Sequence, residues 1–341
     1  MTPRVRVAVL SGGRSSEHEI SVASARSVVA ALDPERYETT AIEIGRDGRW
    51  EIAGNGRSLT SAGEEGVPET LPVFADNAPA RALTEVDVVL PILHGPFGED
   101  GTVQGLLELA GLPYVGAGVA ASALCMDKDL FKAVLRDRGI PVARSVTLRD
   151  GDEPRHQFPY PVFVKPARLG SSVGISKVHA EDELEAAISL ARRHDDKVLI
   201  EELLDGIEVE CGVLGNREPI ASQVGEIVAH AEWYDYAAKY DEGGMELVVP
   251  ARISPEVTER VRTIALESFV ATECEGMARV DLFARPNGDV VVNEINTIPG
   301  FTATSVYAKL FEASGIPYGE LLDRLIELAL ERHERRKALE F

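Results

Sequence analysis

The chain has 341 residues, enough for two or three domains of ordinary size. Hydrophobic residues make up 45% and charged residues 27%, the composition of a globular protein with a hydrophobic core, which excludes a disordered chain and a small disulfide scaffold. Lys and Arg total 35 against 56 Asp and Glu, a net charge of −21, so general binding to nucleic acid or to anionic lipid is not expected, although a locally basic cleft can still hold a small phosphate ligand.

The first third of the sequence alternates strands and helices. Short apolar runs predict strands at 5–10, 37–44 and 86–90, and helical spacing predicts helices at 21–32 and 102–109. This alternation is typical of a parallel sheet with helices on its faces. Residues 53–69 are rich in Gly and Ser and are expected to form an irregular surface connection.

The pattern changes near residue 124, where we place a domain boundary. A helix predicted at 128–138 ends at Gly139, with Pro141 just beyond. The later predicted elements are strands at 162–165, 175–178, 198–203 and 208–214 and helices at 182–193, 255–272 and 318–336. This mixture indicates an α+β organisation.

The three cysteines, Cys125, Cys211 and Cys274, are far apart and form no CxxC motif. Neither a disulfide framework nor a zinc site is indicated, and buried free thiols in a reducing compartment are expected. The apolar run near the N-terminus is too short for a signal-peptide core, and no run approaches the roughly 20 apolar residues of a membrane span. We therefore expect a cytoplasmic protein with no membrane partner.

The sharpest site candidate lies near the C-terminus, at residues 279–296. The Asn-Gly dipeptide at 287–288 separates two apolar runs and predicts a two-residue hairpin turn. That register places Asp281 opposite Glu294. It also places Arg279 opposite Asn296, on the same face of the ribbon. Two facing carboxylates repel each other unless a cation such as Mg²⁺ or Mn²⁺ lies between them, whereas a solvated polar face is the alternative, and spacing alone favours neither.

A second candidate is the loop after Lys165. This residue ends a predicted strand, and a Gly/Ser-rich run at 170–174 leads directly into the next strand. The sequence lacks GxxxxGK[ST] and no helix follows the loop, so it is not a Walker P-loop. The backbone N–H groups of such a loop can fold over phosphates, but for this motif alone an ordinary hairpin is favoured.

Two further features suggest ligand binding. Four of the 20 aromatic residues fall within 233–240, beside Gly243-Gly244, which is typical of a loop that closes over a site; a cluster that covers the core is the alternative. In the N-terminal part, the turns at 11–19 and at His94-Gly95 follow predicted strands, at the edge where parallel sheets bind ligands. The first turn lacks GxGxxG, so a Rossmann dinucleotide site is not indicated.

Together these segments resemble the D-alanine–D-alanine ligase family of ATP-grasp ligases along nearly the whole chain. The matching motifs, in family order, are GGRSSEHEIS at 12–21, HGPFGEDG at 94–101, MDK at 126–128, KP with GSSVG at 165–174, YDY with KY at 234–240, RVD at 279–281 and NEINTIPGFT at 293–302. The resemblance implies an ATP-grasp fold of mixed α/β and α+β class. It implies three domains, at 1–123, 124–215 and 216–341, with ATP gripped between the central and C-terminal ones.

The resemblance also implies a reaction. ATP would phosphorylate the carboxylate of one D-alanine, and the amine of a second would attack the acyl phosphate, supplying a precursor for peptidoglycan synthesis. Two Mg²⁺ ions, for which Mn²⁺ can substitute, would be held by Asp281, Glu294 and Asn296, with Glu294 shared between them.

Further roles follow from positions within the matching motifs. The residues that would contact ATP are Lys128, Lys165, Ser171, Ser172, Glu201, Leu204, Glu208 and Lys239. The residues that would bind the D-alanine substrates are Glu17, His94, Arg279, Gly300 and Ser305. Catalytic roles would fall on Glu17, Ser171, Tyr240, Arg279 and Gly300, of which Arg279 and the Gly300 N–H would stabilise the oxyanion.

The implied partners are ATP, D-alanine and a second copy of the chain in a homodimer. One alternative is a related ATP-grasp ligase that uses D-lactate or D-serine as the acceptor. Another is a nucleotide-binding module of the same fold without catalytic activity, which the complete set of Asp281, Glu294 and Asn296 disfavours.

Overall fold

The computed structural model describes residues 3–52, 83, 85–229 and 245–340. The strands in these ranges are β1 Val5–Gly12, β2 Tyr37–Ile44, β3 Trp50–Ile52, β4 Val88–Pro91, β5 Ser145–Leu148, β6 Val162–Pro166, β7 Ser176–Val178, β8 Val198–Glu202, β9 Ile207–Gly215, β10 Ile220–Ala229, β11 Met245–Val248, β12 Gly276–Ala284 and β13 Val290–Asn296. The α-helices are α1 His18–Ala31, α2 Thr102–Leu109, α3 Val119–Met126, α4 Lys128–Asp137, α5 Leu184–Ala191, α6 Pro255–Ala271, α7 Val306–Ala313 and α8 Tyr318–Lys337.

The N-terminal sheet has the strand order β3-β2-β1-β4. Its central strand β1 pairs in parallel with β2 and β4, which confirms the predicted parallel sheet, and β3 joins the edge in antiparallel orientation. Every residue of β1 from Val7 to Gly12 is buried, because both faces of the sheet are covered. The C-terminal helix α8 returns to this sheet, and its Leu321 and Leu325 share a core with Val7 and Val9.

The central sheet has the order β5-β8-β6-β7, with antiparallel neighbours. Helix α5 covers it, and Leu184 and Ile188 pack against Val164 and Ile200. Helix α4 begins beside this sheet, at a sequence signal for a helix start: the side chain of Asp127 accepts hydrogen bonds from the backbone N–H groups of the first turn. Lys128 is the first residue of this helix.

The C-terminal sheet has the order β11-β10-β9-β12-β13 and is antiparallel throughout. The predicted domain boundary after residue 215 falls inside it, because β9 is hydrogen-bonded to both β10 and β12. The predicted boundary at 123/124 falls inside helix α3. We propose that each of the three sheets forms the centre of one domain, with β9 assigned to the C-terminal one.

All three cysteines are buried free thiols, as the sequence predicts. Cys125 and Cys274 lie in the same core, with their Sγ atoms 3.8 Å apart. Among the residues that the structure describes, no helix combines the length and the apolar character needed to cross a membrane.

Arg332 of helix α8 ties the C-terminal helix to the N-terminal domain. Its side chain is buried, donates hydrogen bonds to the carbonyl oxygens of Tyr114 and Gly116, and lies 4.3 Å from the centroid of the Tyr114 ring. We expect Arg332→Met to lower the free energy of unfolding by about 2–3 kcal/mol, because two buried carbonyl groups lose a charged donor. Urea unfolding measures this loss.

The matched control for this prediction is Arg324→Met on the same helix. Arg324 is half-exposed and pairs only with Glu320, one turn earlier, so its loss should cost less than about 0.5 kcal/mol. Equal losses in the two variants would contradict the structural role given to Arg332.

Candidate active site

One cavity of about 630 Å³ is lined by strands of the central and C-terminal sheets together with helix α1 and loops of the N-terminal part of the chain. Every predicted site residue that the structure describes lines it, and Lys239 and Tyr240 lie outside the described residues, as does the aromatic segment at 233–244. The lining residues that the sequence predicts are Glu17, His94, Lys128, Lys165, Ser171, Ser172, Glu201, Leu204, Glu208, Arg279, Asp281, Glu294, Asn296, Gly300 and Ser305. Residues that are distant in sequence are therefore brought to one place.

The hairpin of β12 and β13 forms one wall of the cavity. Asp281 pairs with Glu294 and Arg279 pairs with Asn296, which confirms both predicted pairs. The predicted two-residue turn is wrong, however. The strand pairing extends toward the turn as far as a hydrogen bond from Arg285 N to Asp289 O. The loop therefore has three residues, 286–288, and its Gly288 has a φ of +82°.

A β-bulge reconciles the three-residue loop with the predicted pairs. Leu282 pairs with Val292 and Asp281 with Glu294, so Asn293 is the extra residue on β13. In a regular strand, Val292 and Glu294 would point to the same face. Because of the bulge, Val292 packs in the core and Glu294 faces the cavity.

Three carboxylates lie in a row across neighbouring strands. Asp281 on β12 is paired with Glu210 on β9 on one side and with Glu294 on β13 on the other. All three line the cavity, and Asp281 is only 4% exposed. Such a row requires positive charge nearby, because unscreened carboxylates on adjacent strands repel each other.

Arg279 supplies part of this positive charge. Its guanidinium donates to both carboxylate oxygens of Asp281 at 2.7 Å and lies 2.9 Å from Glu210 Oε2. Burial opposes its charged form, but the carboxylates of Asp281 and Glu210 outweigh burial and raise the pKa of Arg279. Asn296 Nδ2 donates to Asp281 Oδ2 at 3.0 Å. The predicted substrate-binding Arg279 is therefore also the ion-pair partner of a predicted metal ligand.

Two lysines predicted to contact ATP face acidic groups across the cavity. Lys128 Nζ lies 3.3 Å from Glu294 Oε2 and donates to the Leu169 carbonyl at 2.9 Å. Lys165 is ion-paired with Glu201. Burial would raise the pKa of Glu201, but Lys165 and the buried Lys132 outweigh it and lower that pKa to about 2.

The Gly/Ser loop between β6 and β7 contacts the N-terminal part of the chain. The Ser171 hydroxyl donates to Glu17 Oε1, which brings together two of the residues with predicted catalytic roles. Ser171 and Ser172 have φ values of +54° and +56°, in the left-handed region that non-glycine residues rarely adopt. Backbone strain of this kind is typical of functional loops.

His94 and Glu99 form the polar floor of the N-terminal side. His94 Nδ1 lies 3.0 Å from the Ile298 carbonyl, and none of the described residues forms a hydrogen bond to its buried Nε2. Burial lowers the pKa of His94. Glu99, which the sequence reading did not single out, accepts hydrogen bonds from the N–H groups of Gly95 and Ile298.

Glu99 gives the protein a predicted pH dependence. Burial, with the charge of Glu17, raises the pKa of Glu99 from 4.5 to about 8. The folded protein therefore keeps a proton that the unfolded chain loses, and stability falls as the pH rises from about 4.5 to about 8. Glu99→Gln should remove this component of the slope. Urea unfolding of the wild type and the variant between pH 5 and 9 measures it, and parallel stability curves would contradict the prediction.

Ser305 and Gly300 lie where β13 continues into helix α7. Ser305 is the residue before the first turn of α7, and its hydroxyl accepts a hydrogen bond from Thr302 N at 2.9 Å. A Cβ atom on Gly300 would lie 3.5 Å from Ser305 Oγ, so the two residues are neighbours in the cavity wall. Gly300 thus keeps its backbone close to the serine hydroxyl.

The donor atoms at the hairpin determine which kind of cation the cavity could hold. In the described part of the chain, no three His, Cys, Asp or Glu side chains come together as a metal-binding group. The predicted set differs from such a group because it has two carboxylates, Asp281 and Glu294, and the amide of Asn296. Oxygen-only donors facing each other across a hairpin fit Mg²⁺ or Mn²⁺, which also take phosphate oxygens as ligands.

The chain is similar to known proteins over nearly its whole length. Family models described as D-ala D-ala ligase N-terminus and D-ala D-ala ligase C-terminus match residues 6–117 and 134–327. A D-alanine–D-alanine ligase A of Chromobacterium violaceum is 47% identical over an alignment 358 residues long, gaps included, and the alignment covers 98% of each chain.

Solved structures share the fold. The VanG D-Ala:D-Ser ligase of Enterococcus faecalis has a TM-score of 0.82 and 37% identity, covering 96% of this chain and 100% of that one. A D-alanine–D-alanine ligase of Bacillus anthracis complexed with ATP has a TM-score of 0.78 and 28% identity, covering 97% and 99%. The fold is that of an ATP-grasp ligase. The chain belongs to the D-alanine–D-alanine ligase family.

Proposed function

We propose that this protein joins two D-alanine molecules into D-alanyl-D-alanine at the expense of ATP, for peptidoglycan precursor synthesis. The observation that carries the proposal is the cavity, in which the Gly/Ser loop, Lys128, Lys165 and the carboxylate row all converge. The ATP complex of the B. anthracis relative supports the nucleotide assignment. Membership of the ligase family supports the reaction.

The nucleotide would lie between the central and C-terminal sheets. Lys128 and Lys165 would bind the α- and β-phosphates, under the loop that carries Ser171 and Ser172. Glu201 and Leu204 would lie near the adenine, and Glu208 would accept hydrogen bonds from the ribose hydroxyls. Lys239 would reach the γ-phosphate. This placement is supported by the cavity lining, in which two lysine side chains and a Gly/Ser loop face the same cavity. A polyphosphate needs such positive charges and backbone N–H donors.

The first reaction step would transfer the γ-phosphoryl group of ATP to a carboxylate oxygen of the first D-alanine. Glu17 would bind the ammonium of this substrate, with His94 beside it, and the acyl phosphate and ADP would be the products. Asp281, Glu294 and Asn296 would hold two Mg²⁺ ions, with Mn²⁺ as a substitute. When bound, these ions neutralise charge on the phosphoryl oxygens.

The second step would form the peptide bond. The amine of the second D-alanine, whose carboxylate Ser305 would hold, attacks the acyl carbon. The resulting oxyanion is stabilised by the Arg279 guanidinium and the Gly300 N–H. The intermediate then expels phosphate with the electrons of the acyl C–O bond, and the nitrogen loses a proton. Tyr240, with Ser171 and Glu17, would close the loop at 233–244 over the site during this step and exclude water.

The experiment is direct detection of the product. The purified protein is incubated with ATP, Mg²⁺ and D-alanine, and the dipeptide, ADP and phosphate are measured by mass spectrometry and a phosphate assay. We expect equal amounts of all three products. ATP hydrolysis that does not depend on D-alanine, or nucleotide binding without any turnover, would contradict the proposal.

A second acceptor is the main alternative. The structural likeness to a D-Ala:D-Ser ligase at 37% identity shows that this fold also occurs in a ligase named for a different substrate pair. To identify the second substrate, labelled D-alanine is supplied as the first substrate together with unlabelled D-alanine, D-serine and D-lactate, and the labelled products are compared. Formation of the D-alanine dipeptide in large excess is expected.

We also propose that the protein works in the cytoplasm, where ATP is available, and that it forms a homodimer, as the family resemblance implies. Light scattering of the purified protein tests the dimer. A mass of one chain over the whole working concentration range would contradict it.

A further inference from the structure

Lys132 is a buried cation that neither the sequence reading nor the proposed reaction uses. It lies one helical turn after Lys128 on α4, and its side chain is fully buried. Its side chain does not line the cavity, whereas its partners Glu201 and Asn293 do. Burial of an ammonium group is costly unless it is paired, so its partners show what it does for the fold.

The first partner of Lys132 is Glu201. Lys132 Nζ lies 2.5 Å from Glu201 Oε1, and Lys165 pairs with the other carboxylate oxygen. Glu201 is thus held between a lysine outside the cavity and a lysine inside it. Without Lys132, this carboxylate would be buried against Lys165 alone and would pull the Lys165 ammonium toward itself.

The second partner is the β-bulge. Lys132 Nζ donates to the Asn293 carbonyl at 3.3 Å. Asn293 is the extra residue that turns Glu294 toward the cavity while Val292 packs in the core. A carbonyl group at a bulge lies outside the regular ladder and needs a donor from elsewhere, and Lys132 provides it.

We infer that Lys132 is a positioning residue that holds the Glu201 carboxylate and the Asn293 bulge, and thereby fixes Lys165 and Glu294 relative to each other across the cavity. It acts through these groups and not on the ligand. The inference deepens the proposed function and rests on it, because it assigns Lys132 a part in nucleotide binding.

The test compares Lys132→Met with a matched control, Lys197→Met. Lys197 is also buried and also lies outside the cavity lining, but its partners are Asp127 and Asp129. Binding of the non-hydrolysable analogue AMP-PNP with Mg²⁺ is measured by calorimetry. KM for ATP, KM for D-alanine and kcat are measured from dipeptide formation, and thermal midpoints are recorded for each variant.

We expect Lys132→Met to raise the AMP-PNP Kd and KM for ATP by about tenfold or more and to lower kcat, with KM for D-alanine within about twofold of wild type. Lys197→Met should lower the thermal midpoint but leave kcat and both KM values within about twofold. In a Glu201→Gln background, Lys132→Met should raise the AMP-PNP Kd by a smaller factor than in the wild type, because the two residues act together.

Three results would overturn the inference. The first is an unchanged AMP-PNP Kd in folded Lys132→Met. The second is the same kinetic change in Lys197→Met. The third is failure of both Lys132→Met and Lys132→Gln to fold while Lys197→Met folds, which would make the side chain a requirement for folding only. If the wild type binds AMP-PNP but makes no dipeptide, the proposed reaction fails, while the titrations still decide the role of Lys132.

Discussion

Glu294→Gln is expected to lower kcat by about 10³-fold while the protein stays folded. The substitution keeps the size of the side chain and removes the charge that faces Asp281 across the hairpin. Gln can still accept a hydrogen bond from Lys128, which lies 3.3 Å from Glu294 in the wild type, so the local structure should persist. The Mg²⁺ concentration that gives half-maximal activity should rise at the same time.

Asp289→Asn is the matched control for this prediction. Asp289 is an exposed carboxylate that directly follows the loop of the same hairpin, outside the cavity lining. Its loss should change kcat by less than about twofold. Activity above a tenth of wild type in Glu294→Gln, at saturating Mg²⁺, would refute the proposed metal role of this residue.

Arg279→Met should affect both catalysis and stability. Loss of the proposed oxyanion donor should lower kcat by about 10²–10³-fold. In addition, Asp281 and Glu210 would be left as buried carboxylates without their cation, which should cost about 3–5 kcal/mol of unfolding free energy. Steady-state kinetics and urea unfolding measure the two effects separately.

The control variant is Arg285→Met, on the same hairpin. Arg285 pairs with Asp205 near the surface, so its removal should cost less than about 1 kcal/mol and leave kcat nearly unchanged. An Arg279→Met protein as stable as wild type would show that Asp281 and Glu210 do not depend on this guanidinium for their charge balance.

The hairpin illustrates how far the sequence determines the site. The predicted pairing of Asp281 with Glu294 is correct, although the turn that led to it is wrong, because the three-residue loop and the bulge at Asn293 offset each other. The Asn-Gly signal identifies a turn but does not fix its length. A bulge has no local signature in this sequence, since it depends on contacts from another element, here the Lys132 ammonium.

Other features of the structure could not be predicted from local sequence patterns. The sequence of helix α3, VAASALCM, has no charged residue and therefore no polar face to mark a helical period. The pairing of Asp281 with Glu210 requires the register of β9 against β12, and these two residues are 71 positions apart in the sequence. Buried Lys132 and Glu210 and half-buried Glu99 were missed for the same reason: their importance comes from nearby charges that only the packed structure brings together.

The burial of all three native thiols has a practical consequence for site-specific labelling of the protein. Maleimide dyes should react with the folded enzyme only slowly, because Cys125, Cys211 and Cys274 are enclosed by the core. One introduced cysteine at an exposed position, such as Asn287→Cys at the hairpin tip, could then be labelled selectively without removing any natural one. Fluorescence from that single reporter would follow nucleotide-dependent movement in an otherwise native background.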